Sequence, residues 1–255
     1  MEYTLAQLID AHWLESTKPL PHELEALRDC PQDATHHPEG DALTHTILCV
    51  KQIDSFHGSF GLLGQDAPLW LKLAIVCHDL GKATTTALID GKWHAYGHEG
   101  ASGGLACLML KRAVDARDLT ETNYHAIHEL ILDHMTPYHL LHNNAPLAAY
   151  LRVERRLVEA GVTIEHLEVM FSCDVLGRGK DRDDRLARYY AIMQQIGLHH
   201  LNAVAPPVVL GRHLIARGFK PGPNFKPILA TCHQLQLDLD ITDANQLLDI
   251  ALNGS

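Results

Sequence analysis

No stretch of the chain carries the run of about 20 apolar residues that a membrane-spanning helix needs. The first residues, with Glu2, Asp10 and Glu15, lack the basic-then-apolar order of a secretory signal, so the expectation is a cytoplasmic protein without a membrane partner. No Cys-x-x-Cys pair occurs. Cys30, Cys49, Cys77, Cys107, Cys173 and Cys232 are scattered, mostly beside aliphatic residues, which argues against a zinc knuckle or a disulfide frame and for buried reduced thiols. Positive charge is short as well: 21 Lys and Arg against 31 Asp and Glu give a net charge of -10, which speaks against a broad footprint on duplex DNA. Strand-like alternation is nearly absent, and there is no internal repeat or low-complexity tract. With 46% hydrophobic and 20% charged residues in 255, what remains is a folded globular chain long enough to bury a sizeable core.

Helical spacing of apolar residues recurs from Leu5 to Leu252, so the expected fold class is all-α. The spacing predicts helices over 4–14, 21–29, 41–56, 68–79, 98–114, 121–135, 146–160, 164–174 and 181–196. A loop over 30–41 feeds the third of these. A polar loop over 84–97 holds Asp90-Gly91 as a turn, with Trp93 and Tyr96 placed to cover a pocket. Pro206-Pro207 marks a break, dividing a main domain over 1–205, with its N-terminal helical extension, from a small helical module over 206–255.

Histidine is the outlier, at 19 residues, and the useful ones are those on inward faces. The segment 69–77 is apolar at every position but Lys72, and His78-Asp79 follows directly. A carboxylate buried there needs a partner, since leaving it unpaired costs several kcal/mol. Taken alone the dipeptide also reads as a helix-capping pair. The stripe Ile127, Leu130, Ile131 leads to His134, and the stripe Leu167, Met170, Phe171 leads to Asp174. His45 shares a face with Leu48 and Cys49, and His98 opens a helix after Gly97. Four His and two Asp on five elements suit one or two divalent ions, with the diverging oxygens of Asp79 as the bridge. His45, His78, Asp79 and Asp174 form one expected site; His98, His134 and the far oxygen of Asp79 form the second. Two ions against two carboxylates leave positive charge for a phosphate.

The ordered set His45, His78-Asp79, His98, His134, Asp174 resembles the HD superfamily of metal-dependent phosphohydrolases. The strings HPEGDALTHT (37–46), CHDLGKATT (77–85), GKWHAYGHEGASG (91–103), DHMTPYHL (133–140), CDVLGRG (173–179) and GFKPGPNFKPIL (218–229) narrow the likeness. They are similar to the HD-bearing part of bacterial tRNA nucleotidyltransferases, the CCA-adding enzymes, over roughly residues 19–253. The nucleotidyltransferase head is missing: no G-G-x-V-R-D-like stretch occurs, and the D-x-D pair Asp238 with Asp240 reads as solvated surface. The resemblance implies an all-α HD-domain bundle with a small C-terminal helical appendage, and hydrolysis of 2′,3′-cyclic phosphates, 2′-nucleotides or phosphate monoesters. It implies a nucleotide or an RNA end as substrate and one or two divalent ions (Mn, Ni, Co, Fe or Mg). A metal-bound hydroxide is then expected to attack phosphorus. Asp79, Lys82 and Arg178 fall on catalytic positions, the two cations lying near the substrate phosphate. His94 and Tyr96 of the polar loop are the other expected substrate-facing residues.

Other roles stay open at this level. Glu39, Asp41 and Glu99 stand beside expected ligands as hydrogen-bonding partners or proton donors. Surface or structural roles are expected for His36, His37, His139 and His142. Lys82 also reads as a charge answering a helix dipole, and Arg178 as a partner of Asp181 or Asp183. Two functions compete with hydrolysis: an HD-fold di-iron oxygenase, which the same six ligands would serve, and an RNA-binding or accessory subunit for a separate nucleotidyltransferase, against which the intact ligand set argues.

Overall fold

The computed structural model describes residues 2–53, 67–179, 184–203, 207–239 and 241–253, leaving aside the side chains of 198–203, 237 and 253. The far end of the helix expected over 41–56, the start of that over 181–196, Pro206, Asp240 and the pairing of Arg178 with Asp181 or Asp183 lie outside these residues. Among them the protein is almost wholly helical, with one two-stranded sheet, an all-α bundle of HD-like type.

Asp10 divides the segment expected as one helix over 4–14. Its carboxylate accepts the His12 N–H at 2.9 Å and caps α2 (Ala11–Glu15), after α1 (Leu5–Leu8) has ended. The short α3 (His22–Glu25) follows. Asp41 then caps α4 (Ala42–Gln52): it accepts from Thr44 N–H at 2.7 Å and from Asp29 N–H at 2.9 Å, fixing the loop and the first helical turn together. In α5 (Leu69–Cys77), Leu71, Leu73, Ala74, Ile75, Val76 and Cys77 are at most 1% exposed, as the nearly unbroken apolar run requires. Each large side chain so buried is worth about 1.5–3 kcal/mol.

The segment after α5 departs from the expected polar loop. A single turn, α6 (Lys82–Thr85), leads into an antiparallel hairpin of β1 (Ala87–Ile89) and β2 (Lys92–His94), with Leu88 opposite Trp93. Asp90 and Gly91 both have positive φ, 50° and 77°, the backbone that a tight two-residue hairpin turn demands. Gly81 lets this region approach the next helix. A Cβ there would fall on the carbonyl oxygen of His98 and within 2.8 Å of Ala101 Cβ, and the Gly81 N–H donates to Ser102 Oγ at 2.8 Å.

The bundle continues with α7 (His98–Leu110), a 3₁₀ turn over 116–118, α8 (Glu121–Asp133), α9 (Thr136–His142), α10 (Leu147–Glu159), α11 (Ile164–Gly177) and α12 (Asp184–Ala203). Within it α11 packs on α4, α5 packs on both α4 and α8, and α7 packs on α8. The last elements are α13 (Gly211–Ala216), α14 (Phe225–Leu239) and α15 (Ala244–Asn253). The chain divides into two compact units, Met1–Asn144 with Val153–Tyr190, and Ala145–Arg152 with Ala191–Ser255, so that α10 and α12 each contribute to both. The second unit has its own small core of Val209, Leu214, Cys232, Leu247 and Leu248. No helix among the described residues is long and apolar enough to cross a membrane.

Candidate metal centre

Asp79 stands at the middle of the first unit, 1% exposed, directly after the most buried helix. Its two oxygens face different neighbours. Oδ2 lies 3.2 Å from His78 Nε2 and 3.8 Å from His45 Nε2, while Oδ1 lies 3.3 Å from His98 Nε2. Asp174, on α11, places Oδ1 2.9 Å from His45 Nε2. His98 and His134 bring their Nε2 atoms to 3.1 Å of one another. The structure thus gathers all six residues expected as ligands, from the 30s loop side of α4 to α11.

The other ring nitrogen of each histidine explains why Nε2 points inward. His78 Nδ1 donates to the Ile75 carbonyl at 2.7 Å and His134 Nδ1 to the Ile131 carbonyl at 2.6 Å. Both carbonyls belong to the last turns of α5 and α8, where backbone oxygens have no helical partner. A histidine just past a helix end therefore satisfies that end and is aimed by it. His98 Nδ1 does the same with the Ala95 carbonyl at 2.7 Å, and His45 Nδ1 lies 2.7 Å from Glu39 Oε1, which His37 Nδ1 also approaches at 2.8 Å. With each Nδ1 proton committed, four Nε2 lone pairs face carboxylate oxygens and one another. His78 Nε2 and both Asp79 oxygens have no well-aligned hydrogen bond, although the Lys82 ammonium is 2.7 Å from Asp79 Oδ2. So many buried acceptors in contact call for cations, and the donor set of imidazole and carboxylate fits a divalent transition metal.

Charge is balanced in the same way. Burial opposes ionisation of Asp79, but His78 and Lys82 outweigh it and hold the carboxyl well below the usual range. Arg178 does this for Asp174, with its NH2 2.7 Å from Asp174 Oδ2, against the same cost of burial. Burial, then the neighbouring His78 and His98, push His134 down to about 3, so it stays neutral and able to ligate. Burial also disfavours charge on His78, yet Asp79 raises it above the ordinary value. Glu39 is held at about 2, because hydrogen bonds from His37 and His45 overcome the burial that would raise it.

These groups open onto a cavity of about 370 Å³ lined by Asp79, His98, His134 and Asp174 together with Lys82, Arg178, His94 and Tyr96. Lys82 also donates to Gln32 Oε1 at 2.7 Å, and Arg178 reaches Tyr138 OH at 3.3 Å with its guanidinium over that ring. Of the residues left open by the sequence, Glu39 fixes the His45 tautomer, Asp41 caps α4, and Glu99 lies 3.5 Å from His98 Nδ1 at the cavity edge. His36, His37 and His139 also line the cavity, His36 and His139 as exposed residues and His37 half-buried.

Three neighbours were not singled out by the sequence. Cys49 Sγ is 3.4 Å from His45 Nε2 and clusters with His45, His78 and Asp174, its thiol kept protonated by burial and by Asp174. Its place four residues after His45 on one helix was the signal. Tyr138 and Gln32 gave none.

The multifunctional CCA protein of Haemophilus influenzae (strain PittGG) is 40% identical over 79 residues, which are 31% of this chain and 18% of that protein. The multifunctional CCA protein of Azoarcus sp. (strain BH72) is 40% identical over 100 residues, 38% of this chain and 22% of the relative. That of Paracidovorax citrulli (strain AAC00-1) is 28% identical over 163 residues, 62% of this chain and 34% of the relative. The chain thus spans about a third or less of the length of these relatives. No family model and no solved structure matches it.

Proposed function

We propose that the chain is a metal-dependent phosphohydrolase acting on nucleotide or RNA-end phosphates, of 2′,3′-cyclic phosphodiesterase, 2′-nucleotidase or phosphatase type. The observation that carries this reading is one cavity whose wall holds both the His and Asp cluster and two buried cations, Lys82 and Arg178. The partial likeness to multifunctional CCA proteins supports the choice of a nucleotide or RNA end.

His45, His78, Asp79 and Asp174 would hold one ion, and His98, His134 and Asp79 Oδ1 a second. An ion held there supplies Lewis acidity, to water and to a phosphoryl oxygen alike. The chain's own residues do the rest. Arg178 is held by NH2 on Asp174 and NH1 on Tyr138 at the cavity wall, so its guanidinium sets a fixed positive charge beside the place a phosphate would take. Lys82 adds a point charge beside Asp79. Glu39 keeps the proton of His45 on Nδ1 and leaves Nε2 free to ligate. The chain covers 18–34% of these relatives' length, and a separate partner carrying a nucleotidyltransferase is a further proposal, tested by co-purification.

Chelator-treated protein given Mn, Ni, Co or Mg should regain turnover of a 2′,3′-cyclic nucleotide, and Asp79→Ala should lose both that turnover and bound metal. Folded, metal-loaded protein that turns over no phosphate ester would overturn the assignment in favour of iron-dependent oxidation or an accessory role.

A further inference from the structure

The hairpin is the least economical part of the first unit. Two three-residue strands make a sheet too small to be stable by itself in water. Yet it exposes Leu88 at 59%, Ile89 at 40% and Trp93 at 38%, and Tyr96, just beyond it, at 72%. Exposed apolar side chains gathered in this way mark a surface that meets something. Trp93, His94 and Tyr96 line the same cavity as Asp79, Lys82 and Arg178, and the rings of His94 and Tyr96 are already stacked, with centroids 5.0 Å apart and planes within 12°. A preformed stack beside two cations has the shape and charge of a seat for a flat ring joined to a phosphate.

We infer that Trp93, His94 and Tyr96 form a stacking platform for the unpaired nucleobase adjoining the phosphate. The occupant is then a nucleotide or a single-stranded RNA end, and a bare phosphate ester gains nothing from the platform. The inference rests on the phosphate reading of the metal centre and deepens it. Stacking accepts any base, because every base offers a π-face, so the site should show little preference among the four. A paired base is already stacked in its helix and cannot occupy the platform.

The test is binding without turnover, so that it stands apart from catalysis. Chelator-treated protein is titrated with adenosine 2′-monophosphate, cytidine 2′-monophosphate and ribose 5-phosphate by calorimetry, with tryptophan fluorescence followed in the wild type. Both nucleotides should quench and bind more tightly than ribose phosphate by about 5- to 150-fold, the range one stacked base is worth. Trp93→Leu and Tyr96→Ala should each bring nucleotide affinity toward that of ribose phosphate, while Trp93→Phe and Tyr96→Phe keep most of it. Circular dichroism of each variant checks folding, and His94→Ala, which removes one ring of the stack and should likewise weaken nucleotide binding, carries the test if either of the other two unfolds the protein. Equal affinity for nucleotide and ribose phosphate, or a hairpin covered by a second copy of the chain in sedimentation, would overturn the platform. Tighter binding of both nucleotides than of ribose phosphate, without turnover under any metal, would keep it and sink the hydrolase.

Discussion

At the scale of single residues, the site is organised by where protons are kept. His78, His98 and His134 each give Nδ1–H to the carbonyl three residues earlier, and His45 turns Nδ1 to Glu39, so tautomers and aim are set together. Outer partners of this kind are worth about 10- to 100-fold in metal affinity. Glu39→Gln removes the charge from the side chain whose single oxygen, Oε1, serves both His37 and His45, so metal affinity measured against a chromophoric chelator should fall by about that factor. Unchanged affinity would reduce Glu39 to a loop anchor. The six clustered residues were legible because each stands on an apolar stripe or beside a buried helix end, where a polar side chain needs a reason. Glu39 was visible only as a neighbour, since its bond to His45 depends on how the loop over 30–41 folds back. Tyr138 was hidden because a tyrosine in a helix gives no sign that a guanidinium covers it.

Among the elements, those with strong periodicity and a cap were readable, and those built by turn chemistry were not. α5 and α11 follow from their stripes, whereas α9 begins at Thr136-Pro137 one residue after Met135, too soon after α8 for a pattern to restart. The hairpin was missed because strands of three residues show no alternation; its one signal was Asp90-Gly91, which fits a two-residue hairpin turn better than a plain loop. The clearest test at this scale is the cap of α4. Asp41→Ala removes the acceptor for both Thr44 and Asp29 N–H and should cost about 1 kcal/mol in denaturant unfolding at neutral pH. Burial raises the Asp41 carboxyl, but its hydrogen bonds from Thr44 and Asp29 win and leave it below the ordinary value. The lowered pKa means the contribution is complete above the unfolded value of about 3.9 and lost as pH falls through the folded one. The gap between wild type and variant should therefore shrink in acid. A constant gap would place the effect in packing.

For the molecule as a whole, the all-α class followed from helical periodicity, while the division into two units running through α10 and α12 leaves no mark in a sequence of unbroken helices. Residues joined at the centre are far apart in the chain, as His45 and Asp174 show at a separation of 129. An ion bound only by the folded state stabilises it by about 2.7 kcal/mol at a hundredfold excess over Kd. For a protein of this size that is about 5–10 °C in Tm. Calorimetry with Mn or Co against chelator should show this rise, and no shift with any divalent ion would remove the metal from the account. Lys82 is paired with Asp79 and Arg178 with Asp174, each at 2.7 Å, so the uncharged-looking cavity conceals two cations neutralised by the carboxylates that an ion would engage. On the proposed reading, a metal competes with Lys82 and Arg178 for the carboxylates and a phosphate competes with the carboxylates for the two cations, so each frees the other's partners: whichever arrives first lowers the cost of the second, by the same factor in either order. The centre would then behave as a charge exchange, keeping its affinity for anions latent until it is loaded.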